Sequence, residues 1–295
     1  MTARARAFAQ IDVFTAEPTA GNPVAVVLDA EGLSDEQMAA FARWTNLSET
    51  TFVVPPSDPA ADYRLRIFTP GGELPFAGHP TLGSAFAWLQ AGGRPSGDRA
   101  SGDRIVQECG IGLVEIRRES GSGRLAFAAP PLLRSGPVDE STMSVVRGAL
   151  GLAADEVVAA NWVSNGPAWL GVLLRDAERV RGLTPDFAAL GDLEVGVIAP
   201  QTGSESVVRD TDVRDTDFEV RAFVPGIGVP EDPVTGSLNA GLAVWLRGEG
   251  LAPAHYVAAQ GTVLQRAGRV HVDDDGQRIW VGGDCVSVVD GTVTL

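Results

Sequence analysis

Three short segments hold the side chains best suited to moving protons: Asn46-Leu47-Ser48-Glu49-Thr50, Pro75-Phe76-Ala77-Gly78-His79-Pro80 and Glu231-Asp232-Pro233-Val234-Thr235-Gly236-Ser237. Glutamate, histidine and aspartate take and return protons near neutrality once their surroundings adjust them. An isolated glutamate in a turn is ordinarily a solvated acid. Glu49, however, lies among Leu47, Thr51 and Phe52, at a helix-to-strand boundary that tertiary structure would cover. His79, just before Pro80 at a helix start, reads equally well as a cap, and Asp232, before Pro233, equally well as a turn residue. A substrate held in fixed geometry beside a water-shielded carboxyl group would exchange a proton with it as if intramolecularly.

Other chemistries lack their residues. The chain has no lysine, so all 23 basic residues are arginines. That removes the Schiff-base lysine of pyridoxal enzymes and aldolases, the P-loop lysine and any Ser–Lys dyad. No G-x-S-x-G elbow occurs, and the glycine pairs Gly110/Gly112 and Gly226/Gly228 lack the third glycine of a dinucleotide fingerprint. His79, His255 and His271 show no ligand spacing, so no metal site is expected. Acid–base chemistry without a cofactor remains. A net charge of -15 would repel the phosphates of nucleic acid and an anionic membrane surface alike, so neither is an expected partner. No apolar stretch approaches the roughly 20 residues of a membrane span, and the basic start MTARARAFAQ has no apolar leader segment. Cys109 and Cys285, without C-x-x-C spacing, read as free buried or half-buried thiols of a reducing cytoplasm.

The elements that must position these residues come in two copies. Phe68-Thr-Pro-Gly-Gly-Glu-Leu-Pro75 matches Phe223-Val-Pro-Gly-Ile-Gly-Val-Pro230 at an offset of 155, and Ala87-Trp88-Leu89 matches Val244-Trp245-Leu246 at an offset of 157. In each copy a strand enters a Gly/Pro-rich loop, a short apolar helix follows, and a further strand carries a glutamine, Gln107 or Gln260. The helices expected at Pro80–Gln90 and Ser237–Arg247 have no broad polar face and belong inside a domain. Their starts are polar and glycine-rich, with backbone N–H groups available to an anion. Twelve strand-like runs, a capped surface helix opening at Ser34-Asp-Glu-Gln37 and another over roughly Met143–Leu150 complete an α+β chain. Two pseudo-symmetric domains are expected, each a sheet wrapped around a buried helix: residues 1–125 with strand 282–295, and residues 126–281. The repeat would bring His79 and Asp232 to one cleft. The stretches Arg94–Arg104 and Arg209–Asp217 read as a polar loop and a charged turn or edge.

Gly21-Asn22-Pro23-Val24-Ala25-Val26-Val27, Asn46-Leu-Ser-Glu49-Thr, Phe68-Thr-Pro…Glu73-Leu-Pro-Phe-Ala-Gly-His79-Pro and Glu231-Asp232-Pro-Val-Thr-Gly-Ser237 closely resemble, in order and spacing, the PhzF-like family of phenazine-biosynthesis isomerases. The C-terminal Asp290-Gly-Thr-Val-Thr-Leu resembles that family's ending, so the likeness spans essentially the whole chain. It implies the diaminopimelate epimerase-like fold and a proton-transferring isomerase of a small carboxylate, similar to trans-2,3-dihydro-3-hydroxyanthranilate isomerase and working as a homodimer. Glu49 would be the proton carrier, with His79 and Asp232 assisting. Gly78, Gly236, Ser237, Asn22 and Ser48 would bind the substrate. Racemases of the wider superfamily use one cysteine from each domain; here the corresponding loops carry His79 and Asp232 instead. The alternatives on the same scaffold are an epimerase, racemase or dehydratase of a small amino or hydroxy acid, or a non-catalytic carboxylate-binding protein.

Overall fold

A computed structural model describes residues 3–96, 103–201, 215–227 and 230–295 of the chain. It divides into two compact units, Met1–Ala128 with Val281–Leu295, and Ala129–Trp280.

The first unit begins with β1 (Ala5–Val13) and β2 (Asn22–Val27), an antiparallel pair. Helix α1 (Asp35–Thr45) then crosses to β3 (Glu49–Val54), parallel to β2. β4 (Tyr63–Thr69) returns antiparallel to β3, and the short β5 (Gly72–Leu74) folds back on it. Helix α2 (Gly78–Gln90) is the second crossover and delivers β6 (Arg104–Cys109) parallel to β4. β7 (Gly112–Arg118) and β8 (Leu125–Ala128) follow as antiparallel neighbours. A parallel crossover buries its helix on the sheet, which is why α2 can be apolar nearly all round. Gly78 through Ala85 and Ala87 are all buried, and the helix packs on β1, β2, β3 and β8.

The second unit repeats this order of pairings. After β9 (Arg134–Pro137) and α3 (Glu140–Leu150) come β10 (Val157–Ser164) and β11 (Leu170–Leu174), antiparallel. The short helices α4 (Ala177–Arg181) and α5 (Phe187–Leu190) cross to β12 (Val195–Pro200), parallel to β11. β13 (Phe218–Phe223) is antiparallel to β12, and the two-residue β14 (Glu231–Asp232) folds back on it. Helix α6 (Gly236–Gly248) delivers β15 (His255–Gln260) parallel to β13, and β16 (Gly268–Asp274) pairs antiparallel beyond it. β17 (Ile279–Gly283) carries the chain back to the first unit, where β18 (Cys285–Thr294) pairs with β1 across a bulge at Gln10/Ile11. The fold is α+β.

Each buried helix has a glycine at its sixth residue. A Cβ on Gly83 would lie 2.4 Å from a methyl of Val24, and one on Gly241 would lie 2.3 Å from the Val163 carbonyl oxygen. Only a bare Cα lets helix and sheet approach so closely.

Several elements differ from the sequence expectation. α3 opens at Glu140 rather than Met143, because the Asp139 carboxylate accepts from the Thr142 N–H and caps the helix earlier. β9, β10, α4 and α5 had no expected counterpart. β10 has only partial burial alternation, and α4 and α5 are of five and four residues, each capped by an aspartate, Asp176 and Asp186. The Ser34–Gln37 capping box forms, each side chain bonding the other's backbone N–H. The two polar stretches fall largely outside the described residues; of the second, Asp215 pairs with Arg269. Among the described residues no helix is long and apolar enough to cross a membrane.

Candidate active site

In the first unit the site is built where α1 ends. Asn46 takes the left-handed conformation, φ 54°, and its N–H donates to the Ala42 carbonyl, closing the helix. Leu47 and the half-buried Ser48 then turn the chain so that Glu49 is the first residue of β3, opposite Val24 of β2. From the other side, the β4–β5 hairpin and Pro75–Ala77 lead into α2, whose second residue is His79. His79 Nε2 lies 3.3 Å from Glu49 Oε2; the Glu49 side chain is 14% exposed and that of His79 5%. Asn22, buried at the head of β2, brings its amide nitrogen to 3.4 Å from His79 Nδ1.

Burial pushes the His79 imidazole down to about 3, opposed by a hydrogen bond to the Pro23 carbonyl. Desolvation disfavours the cationic ring more than one backbone carbonyl stabilises it. At neutral pH the contact is therefore a neutral imidazole against a carboxyl group, not an ion pair, although its length is that of one. Such an arrangement suits a carboxyl group that must gain and lose a proton, because a permanent neighbouring cation would hold it ionised.

Polar links tie α2 to the sheet behind this pair. Gln107 Nε2 donates to Thr81 Oγ1 at 3.0 Å while its Oε1 accepts from the Tyr63 hydroxyl at 3.0 Å. The Ser84 and Thr51 hydroxyls meet at 2.8 Å. The start of α2 differs from those of the outer helices. Ser34, Asp139, Asp176 and Asp186 each cap their helix with a side chain, whereas Ala77, before Gly78, does not. The first-turn N–H groups of α2 are left to other acceptors.

The second unit presents a parallel set. Asp232 ends β14, paired with Ala222 of β13. The Thr235 hydroxyl donates to Asp232 Oδ2 at 2.5 Å, yet Thr235 makes no side-chain cap at the start of α6. Gly236 opens the helix. Ser237 is held twice: its hydroxyl oxygen accepts from the Trp169 indole at 3.1 Å and its carbonyl from Asn165 Nδ2 at 2.8 Å. Gln260, 1% exposed, takes four hydrogen bonds among Asp232, Thr235 and Asn239. Glu231, the other acid of the motif, is fully engaged by Arg221, with Nε–Oε1 at 2.8 Å and Nη2–Oε2 at 2.7 Å, both side chains buried. It anchors the strand.

The Phenazine biosynthesis-like protein family matches residues 11–291. The chain belongs to this family. Its relatives include Antisense-enhancing sequence 1 of Schizosaccharomyces pombe, 36% identical over 96% of this chain and 97% of that one. Trans-2,3-dihydro-3-hydroxyanthranilate isomerase of Pseudomonas aeruginosa is 34% identical over 95% of this chain and 92% of its own length. A PhzF-family crystal structure from Enterococcus faecalis superposes with a TM-score of 0.76 at 28% identity, covering 99% of this chain and all of that one. A hydroxyproline epimerase from Agrobacterium vitis, at 12% identity and a TM-score of 0.56 over 99% of this chain and 93% of that one, shares the fold. The protein is an isomerase of the PhzF family.

Within this PhzF-family chain, Asn22 and Glu49 flank His79, the residue after Gly78, in the first unit, and in the second Asp232 is tied to Gln260 while Gly236 and Ser237 open α6. Sequence reasoning missed Thr235, Asn165 and Trp169. It noticed Gln107 and Gln260 only as markers of the repeat; their shared position behind a buried helix was the available signal. Neither cysteine stands at a helix start: Cys109 closes β6 and Cys285 opens β18, and burial pushes both thiols up. Among the described residues no three His, Cys, Asp or Glu side chains gather as a metal site.

Proposed function

We propose that this isomerase shifts a double bond in a small cyclic, unsaturated or hydroxylated carboxylate of the trans-2,3-dihydro-3-hydroxyanthranilate class, with Glu49 as the proton carrier and no cofactor. The observation that carries the reading is the Glu49 carboxyl group set 3.3 Å from a buried His79 whose burial keeps it neutral. The Glu49 carboxylate removes a proton from one carbon; the C–H bond breaks, the carboxyl O–H forms and the electron pair enters the conjugated system. The same carboxyl group then returns the proton to another carbon, the double bond moves, and the carboxylate is regenerated. A single carrier on one face suffices, and atoms and charge balance without a second reactant.

His79 fixes the Glu49 carboxyl through its Nε2 contact and stays neutral. The uncapped first-turn N–H groups at Gly78 favour a substrate carboxylate, with Asn22 and Ser48 as further binding residues; those at Gly236–Ser237, with Asp232, are a second set suited to a substrate's polar groups. The relative from Pseudomonas aeruginosa supports the substrate class.

Glu49→Gln keeps the side chain's size but cannot take a proton from carbon. Turnover of trans-2,3-dihydro-3-hydroxyanthranilate should fall about 10²–10⁴-fold with binding little changed. Reaction in deuterium oxide should label the wild-type product and leave the residual product of the variant much less labelled. Wild-type turnover by Glu49→Gln would rule out the carrier, and turnover of a hydroxy or amino acid with inversion at carbon in place of bond migration would replace the isomerisation by an epimerase reading.

A further inference from the structure

The hydrogen bonds around Gln260 have determined directions, and they end on Asp232. The Thr235 backbone N–H can only donate, and it points at Gln260 Oε1 at 3.0 Å. Asn239 Nδ2 also donates to Oε1, at 2.8 Å. The amide orientation is thereby fixed with Nε2 on the opposite side, where it donates to the Asp232 carbonyl at 3.1 Å and to Thr235 Oγ1 at 2.9 Å. Because Thr235 Oγ1 already accepts from Nε2, the hydroxyl proton is directed to its other close partner, Asp232 Oδ2, at 2.5 Å. A carboxyl oxygen that always receives a donor is favoured in its ionised form.

We propose that Gln260 and Thr235 are positioning residues that act through Asp232, fixing its carboxylate and holding it ionised. The proposal rests on Asp232 being a site residue of the isomerisation assigned above, and it makes Asp232 an acceptor for a hydroxyl or ammonium group of the substrate rather than a proton donor. Charged groups on the adjoining strands are Arg221 of β13 and Glu231 of β14, bound to one another. Beyond β15, the stem of Arg266 packs against Gly261 beside the Pro233 carbonyl. The α6 and β15 groups in the relay, Thr235, Asn239 and Gln260, are uncharged.

The test reads Asp232 without any substrate, through the carboxyl carbon resonance of ¹³C-aspartate-labelled protein, assigned by its disappearance in Asp232→Asn. Thr235→Val removes the hydroxyl at nearly constant volume and should move the Asp232 titration upward by roughly one pH unit or more, whereas Thr235→Ser should titrate within about 0.3 unit of wild type. Gln260→Glu, unable to donate from an ionised carboxyl, should move it upward as well. If Thr235→Val does not fold, Thr235→Ala takes its place. A valine or alanine variant titrating like wild type would overturn the relay, and so would a serine variant displaced as far as the valine one. With a turned-over substrate, the acid limb of kcat/KM should move with the resonance in Thr235→Val and return in Thr235→Ser. An unshifted resonance defeats the relay alone; a shifted resonance with full activity in Asp232→Asn defeats the assignment of Asp232 to the reaction and leaves the relay standing.

Discussion

His79 is 4% exposed, and burial moves its ring from the ordinary 6.5 to about 3, which makes it a stability determinant as well as a proposed site residue. Above pH 6.5 the ring is neutral both folded and unfolded and contributes no pH dependence. As the pH falls from 6.5 toward 3 the unfolded chain takes up a proton that the folded chain refuses, so stability is lost through that window, at up to ~1.4 kcal/mol per pH unit. Urea unfolding between about pH 7 and pH 4.5 should show this slope in the wild type and a shallower one in His79→Gln. Parallel losses in the two proteins would mean that the ring protonates in place. Glu49, His79 and Asp232 could be singled out because their sequence neighbourhoods form ordered motifs, and the structure sets the first two 3.3 Å apart. Thr235 and Gln260 were not: their importance lies in which atom donates to which, and that is decided by a strand 25 residues away from the threonine.

At the scale of elements, the sequence showed both buried helices because a parallel crossover places its helix inside, and an apolar helix without a polar face has nowhere else to go. The one-turn helices and the β9–β10 pair escaped notice, since they carry no period long enough to read. The sixth-residue glycines of α2 and α6 show how tightly the helices are set. Gly83→Ala would bring a methyl to 2.4 Å from Val24 and 2.9 Å from Val13, both methyl carbons, and should cost about 1–3 kcal/mol. Gly148, exposed in the last turn of α3, meets nothing within 4 Å, and Gly148→Ala there should stabilise by about 0.4–1 kcal/mol. Opposite signs in thermal melts are the expected outcome. Equal small effects would show that α2 can move off its sheet at little cost, and with it the His79–Glu49 contact.

The molecule as a whole carries a net charge of -15 and yet is assigned an anionic substrate. The two facts are reconciled by range. First-turn N–H groups act within a turn of the helix end, while the net charge acts over the Debye length, about 30 Å at 10 mM salt and about 10 Å at 100 mM. Arginines supply all 23 positive charges, and Arg221, next to β14, is committed to Glu231. Far from the site, then, a carboxylate meets mainly repulsion; near it, short-range donors. Raising the salt from about 10 to about 100 mM screens the first and spares the second, so the affinity for a carboxylate substrate should rise roughly two- to four-fold. Most surface anion sites behave the other way. Equilibrium binding to Glu49→Gln, which should hold the substrate while converting it far more slowly, measures the effect directly, with the uncharged amide of the same compound as the salt-insensitive control. Affinity that weakens with salt would mean that a local positive field outweighs the net charge, and the search for it would begin at the arginines rather than at the helix starts.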